Sequence, residues 1–192
     1  MLTPTLAKPG AGLPFWEGLV TRYYFGRFVA KRSDWDRAGR DFDALNAKIL
    51  KAVEGLTPEQ LRRRVLIPRP KGLEDSSRHW SLAMVLEHLA FVGGKIVEIV
   101  IALSRGEDPG VKVDIAQVKP LGQQEAGVSV RNFRTFAETA RTILEKNVSD
   151  RESPAKLSHP WFGPFNARQW HWLLAGHAAV HYIQVKEIKK RL

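Results

Sequence analysis

Apolar residues recur at steps of three and four along four stretches of the chain, and each stretch predicts an amphipathic helix. In the first, Asp36 to Val53, the stripe is Phe42, Leu45, Ile49 and Val53, and Gly55 stands where a terminating glycine belongs. Thr57-Pro58-Glu59-Gln60 then has the form of a capping box with proline at the first helical position, which predicts a short helix to about Val65. Ile67 to Arg78 holds Pro68, Pro70 and Gly72 and reads as loop. Ser81 is placed to cap the second long helix, to about Ser104, with Val85, His88, Val92, Ile96, Ile99 and Leu103 on one face. Gly106 to Gly127 is a long connection in which Val111 to Val118 could be extended but has no obvious partner strand. From Ser129 a third long helix carries Phe133, Phe136, Ala140, Ile143 and Leu144, and Asp150 to Phe165 is loop. Asn166 with Gln169 repeats the capping signature, and the last helix runs nearly to the C-terminus with Trp170, Leu174, His177, His181, Gln184 and Ile188 on its stripe. Four long helices without a convincing sheet or internal repeat predict an all-α, up-and-down four-helix bundle with long connecting loops.

The bundle domain is placed at residues 34–192, with residues 1–33 as an N-terminal extension. Within that extension Met1 to Gly12 reads as a disordered or draped arm. Phe15 to Ala30 is apolar but interrupted by Glu17, Arg22 and Arg27, which suits a surface or interface helix. No charged-then-apolar signal pattern opens the chain, and no stretch approaches the run of about 20 apolar residues that a membrane helix needs. No membrane partner is therefore expected.

Composition changes this picture in two ways. The 192 residues are 44% hydrophobic and 26% charged, an ordinary balance for one domain with a sizeable core. There is no cysteine, so disulfides, thiolate metal sites and cysteine nucleophiles are excluded, and a cytoplasmic location is expected. Any metal must be held by histidine or carboxylate. The net charge of +10 raises the question of nucleic acid, but the basic residues are scattered and no docking motif accompanies them. A cationic surface, or attraction of an anionic small-molecule substrate, is the preferred reading.

Three histidines stand out because they lie on apolar stripes. His177 and His181 are four apart, a rise of about 6 Å on one helix face, so both rings can reach one ion. His88 sits on the core stripe of another helix. A buried imidazole left unpaired costs roughly 1–3 kcal/mol, and a shared divalent metal would satisfy one nitrogen of each ring at once. Ordinary hydrogen-bonded core histidines remain the alternative. His79, His159 and His171 are off the stripes or in loops and are assigned structural or solvated roles. Trp161, Trp170 and Trp172 are read as walls of the core or of a dimer seam, and Lys95 as a solvent-reaching side chain that could otherwise meet an anion.

These residues also carry a resemblance. Trp80-Ser81-Leu82-Ala83-Met84-Val85-Leu86-Glu87-His88-Leu89-Ala90 resembles the second-helix signature of the DinB-like, or YfiT-like, metalloenzyme superfamily. His159-Pro160-Trp161-Phe162-Gly163-Pro164-Phe165-Asn166-Ala167-Arg168-Gln169-Trp170 resembles the HPxFGxLxxxQW entrance to its last helix, and His177 to Gln184 resembles the H-x3-H-x2-Q that follows. The resemblance spans roughly Asp36 to Ile188. It implies a four-helix bundle, often a homodimer, with nickel, zinc or a similar divalent metal on His88, His177 and His181 and with Gln184 in support. Many members have a further histidine where this chain has Val180, and the first thirty-odd residues have no counterpart there.

Two function classes follow. One is a metal-dependent enzyme, either a hydrolase or an S-transferase whose low-molecular-weight thiol must come from a cosubstrate, since the chain has no cysteine. The other is a non-catalytic metal- or ligand-binding bundle of a stress response.

Overall fold

The structure is a computed structural model and describes residues 5–192. Short helix α1 (Phe15–Leu19) continues as a π-helical stretch, Val20–Val29, and a 3₁₀ turn, Ala30–Arg32. Then come α2 (Trp35–Val53), α3 (Pro58–Arg62), strands β1 (Val65–Leu66) and β2 (His79–Trp80), α4 (Leu82–Ser104), α5 (Ala126–Asn147), strands β3 (Leu157–His159) and β4 (Gly163–Phe165), and α6 (Ala167–Lys189).

The long helices start where side chains can satisfy their free amides. The Asp34 carboxylate accepts from the Arg37 amide at 2.7 Å, and the Ser81 hydroxyl from the Met84 amide at 3.2 Å. Both capping boxes form, Thr57 with Gln60 and Asn166 with Gln169. Asn166→Ala is expected to cost about 1 kcal/mol, read from the urea midpoint at unchanged slope. Helix α5 departs from expectation. It begins at Ala126, before Ser129, because the fully buried Ser129 hydroxyl donates to Gln124 Oε1 at 2.9 Å and does not cap.

Each long helix packs chiefly on two others: α2 on α6 and α5, and α4 on α5 and α6. The connections from α2 to α4 and from α5 to α6 therefore cross the bundle. Among the described residues the only sheet is in two short ribbons. Val65 pairs with Trp80 and Leu66 with His79, which ends the short helix at Arg62 instead of Val65. Leu157 pairs with Phe165 and His159 with Gly163, inside the segment expected to be loop. Strands of two or three residues are too short to leave a period-two pattern. Val111 to Val118 forms no strand.

The core is laid down by the expected stripes. Phe133, Trp170, Ile49, Leu103 and Ile188 are buried, but Ile143 stands outside, 41% exposed. On α6, Ala175 and Ala178 are buried within this chain, whereas Ile183 is exposed. Helices α4 and α5 approach closely at Gly93, where an added Cβ would lie 2.1 Å from Phe136 Cζ.

The N-terminal segment lies along this bundle and is fastened to it. The Ala7 amide donates to Asp75, and the Gly10 and Gly12 amides donate to Glu74 at 3.3 and 2.8 Å. Glu17 pairs with Arg69, whose guanidinium holds the Glu17 carboxyl below the usual carboxylate range. Gly26 allows the π-helical stretch to close on the β3–β4 hairpin, since a Cβ there would meet the Phe162 carbonyl at 2.7 Å. No described helix is long and apolar enough to cross a membrane.

Candidate metal centre

Helix α4 delivers His88, and α6 delivers His177 and His181 from successive turns of one face. The three rings form a compact triangle, with centroids 5.0 Å apart for His88 and His177, 4.7 Å for His88 and His181, and 4.6 Å for His177 and His181. One nitrogen from each lies within 4.8 Å of the others. His88 and His181 are buried and His177 is half-buried.

Hydrogen bonds settle which nitrogens converge. His88 Nδ1 donates to the Val118 carbonyl at 2.8 Å, and His181 Nδ1 donates to Gln184 Oε1 at 2.7 Å. Both rings therefore turn Nε2 toward the shared centre, where His88 Nε2 is 3.1 Å from His177 Nε2. Gln184 is fully buried, and its own Nε2 donates to the Ser77 carbonyl at 2.7 Å, so its orientation is fixed as well. Trp80 closes one side, parallel to His181 at 6.0 Å and edge-on to His88 at 5.1 Å.

Burial, with the neighbouring His181 ring adding to it, pushes His88 and His177 well below the ordinary imidazole range. Burial, opposed by the hydrogen bond to Gln184 and aided by the charge on Lys119, pushes His181 down to about 4. The rings are thus neutral at physiological pH and offer lone pairs. Three converging neutral Nε2 atoms, two with their far nitrogens already held by acceptors, fit the donor set of a divalent ion such as zinc or nickel. The Val118 carbonyl and the anchoring of Gln184 are supports that the sequence does not reveal.

The loop carrying Val118 is itself held. Lys119 Nζ pairs with the buried Glu74 at 2.7 Å and donates to the Ser77 hydroxyl at 2.8 Å. Burial opposes the charge on Glu74, but Lys119 and the Gly12 and Gly10 amides outweigh it and hold the carboxyl below its usual range.

The centre opens into a cleft of about 1090 Å³. His159, expected to be structural or solvated, is buried and lines this cleft. Its Nδ1 accepts from the Trp161 amide at 3.1 Å, so its proton sits on Nε2, for which no acceptor is found among the described residues. Burial pushes this ring down to about 4, keeping it neutral. Its place in the His159-Pro160 turn before the capping box was the available signal. Trp161 and Trp172 wall the cleft, Trp170 reaches it from the core, and Val180 also faces the cleft. Lys95 stands at the cleft margin, paired with Glu98 at 2.8 Å. His79 is in β2, paired with Leu66 and not one of the converging set, and His171 packs on the opposite side of α6, against Trp35.

Comparison with known proteins agrees with this layout. The family model of the DinB superfamily matches residues 41–185, a span that contains all three histidines of the triangle. The crystal structure of TT2238, a four-helix bundle protein, aligns with a TM-score of 0.53 at 23% sequence identity, covering 80% of this chain and 98% of that one. That likeness speaks for the fold. No curated protein matches the chain.

Proposed function

The chain belongs to the DinB superfamily, and on that premise we propose that it is a divalent-metal-dependent enzyme acting on a small molecule, with His88, His177 and His181 as the ligands. The observation that carries the reading is the convergence of three neutral imidazole nitrogens at the end of a large cleft. Three protein ligands leave a position open, where a bound ion would supply Lewis acidity toward a thiol or a water. The protein's part is orientation and exclusion. Gln184 and the Val118 carbonyl fix two of the rings, Trp80 shuts one side, and the cleft walls keep bulk water from the reacting end.

Of the two reactions, transfer of a low-molecular-weight thiol is favoured over hydrolysis. Every carboxylate lining the cleft is already engaged: Glu17 with Arg69, Glu74 with Lys119, Glu98 with Lys95, and Asp114 with the Ala116 amide and Gln117. None is free to assist attack by water as a general base. A thiol is more acidic than water and loses its proton far more easily. The chain has no cysteine, so the thiol would arrive as a cosubstrate.

The test is metal content by elemental mass spectrometry on protein purified without a histidine tag, beside His88→Ala and His177→Ala. About one ion per chain, lost in both variants, is expected. No retained metal after incubation with zinc, nickel and manganese would leave a core-histidine scaffold and remove the proposed chemistry. Retained metal with slow ligand exchange and no turnover of thiol–electrophile pairs would favour the non-catalytic bundle.

A further inference from the structure

The cleft is far larger than the triangle of histidines requires, and its chemistry changes along its length. At the inner end are polar groups: the three converging nitrogens, the Nε2–H of His159, Ser77 and the Lys119–Glu74 pair beside it. Beyond them the lining is predominantly apolar, with Val92, Ile96 and Ile99 of α4 and Trp172 and Leu173 of α6, and the carboxylates among it, Glu17, Glu98 and Asp114, are each paired. The apolar character does not stop at the mouth. Trp16, Val20, Phe25, Phe91 and Val111 all line the cleft while standing 40% to 75% exposed. Scattered surface apolar residues need no explanation, but five gathered around one opening form a ligand surface.

Three of those five come from the segment between Phe15 and Val29, which lies outside the span matched by the superfamily. Its π-helical winding matters here. Bonds from residue i to i+5 bring side chains five apart onto a common side, and Val20 and Phe25 both reach the cleft. The family bundle thus supplies the histidines, and this chain's own extension supplies much of the outer wall.

We infer that the cleft takes a ligand with an elongated apolar body and a single polar head, the head at the histidines and the body along the wall built by the N-terminal segment. This rests on the reading of the three histidines as the reacting end. His159 would donate to an oxygen or sulfur of the head, and a compact hydrophilic substrate would leave the outer wall without use.

The experiment titrates full-length protein with straight-chain carboxylates from butanoate to tetradecanoate, following tryptophan fluorescence. Protein treated with EDTA and protein loaded with zinc are compared. Affinity is expected to rise about fourfold per added methylene until the body fills the cleft, in both preparations. Phe91→Asp and Val111→Asp alter exposed positions, so folding is preserved. They should flatten the rise for long chains and leave short chains unchanged. Affinity independent of chain length, or a rise untouched by both substitutions, would overturn the inference. The two readings fail separately. Zinc bound at the histidines with no length dependence sinks the apolar ligand alone, whereas a length-dependent rise in protein that never retains zinc sinks the metal reading and supports the apolar cleft.

Discussion

Gly93→Val is expected to destabilise the protein by about 3 kcal/mol. Gly93 is buried in the middle of α4 and faces Phe136 of α5, where an added Cβ would lie 2.1 Å from Cζ and 2.6 Å from Cε1. Valine puts two further methyl groups into that contact. The Phe136 ring is held edge-on to Phe42 at 5.6 Å and lies 6.5 Å from Phe133, so it cannot turn aside without disturbing the α2–α5 contact. Helix propensity works the other way, favouring valine over glycine by a few tenths of a kcal/mol, so sterics decide the sign. Urea unfolding of four proteins checks this: wild type, Gly93→Val, Phe136→Ala and the double variant. Removing the ring opens the space that the valine needs, so the double variant should lose less than the sum of the single losses. Simple addition of the two losses would mean that Gly93 is not making room for Phe136.

The second large effect is with pH. His171 is 4% exposed, its ring stacked on Trp35 with centroids 3.9 Å apart, and its Nδ1 is buried without a hydrogen-bond partner. Burial, with Arg151 and Arg141 adding to it, pushes the ring down to about 4. An unfolded histidine titrates near 6.5. At neutral pH both states are uncharged and His171 confers no pH dependence. As pH falls from about 6.5 toward 4 the unfolded chain takes up a proton that the folded protein refuses, so stability is lost across that window. By pH 4.5 the loss from this one residue is roughly 2–3 kcal/mol. His171→Phe keeps the stacking on Trp35 and removes the titration. Its unfolding free energies at pH 7 and pH 4.5, from urea midpoints and slopes, should therefore lie closer together than the wild-type pair by about that amount. An unchanged separation would show that His171 accepts its proton in the folded state as readily as in the unfolded one.

The bundle was legible because its determinants are local. Asp36 to Val53 and Ser81 to Ser104 carry 3.6-residue stripes, and Ser81, Thr57 and Asn166 sit where their caps must. His88, His177 and His181 could be chosen from six histidines because they replace core residues on those stripes. What escaped depends on contacts distant in sequence or on unusual winding. The acceptor of His88 Nδ1 is a backbone carbonyl, and any residue at position 118 would carry one. Lys119 meets Ser77 across 42 residues, with nothing in either neighbourhood to announce it. A period of 3.6 cannot find the cleft face of Val20–Val29, because that stretch is not wound at 3.6 residues per turn. His159 was set aside because it lies in a turn, and only the β3–β4 hairpin brings it to the cleft.

Glu74 has one consequence beyond holding a loop. Its carboxylate accepts from the Gly12 amide through Oε1 and meets both the Gly10 amide and Lys119 through Oε2. Lys119 follows Val118, the acceptor for His88, and reaches Ser77, whose carbonyl orients Gln184 and through it His181. Docking of the first residues and alignment of two of the three rings are therefore joined by one continuous chain of contacts. Linkage makes their coupling reciprocal: by whatever factor a docked N-terminus strengthens the grip of the histidines on a ligand, that ligand strengthens docking by the same factor. The extension would then report on occupancy from outside the bundle, as slower proteolysis near Gly10 whenever the rings are engaged.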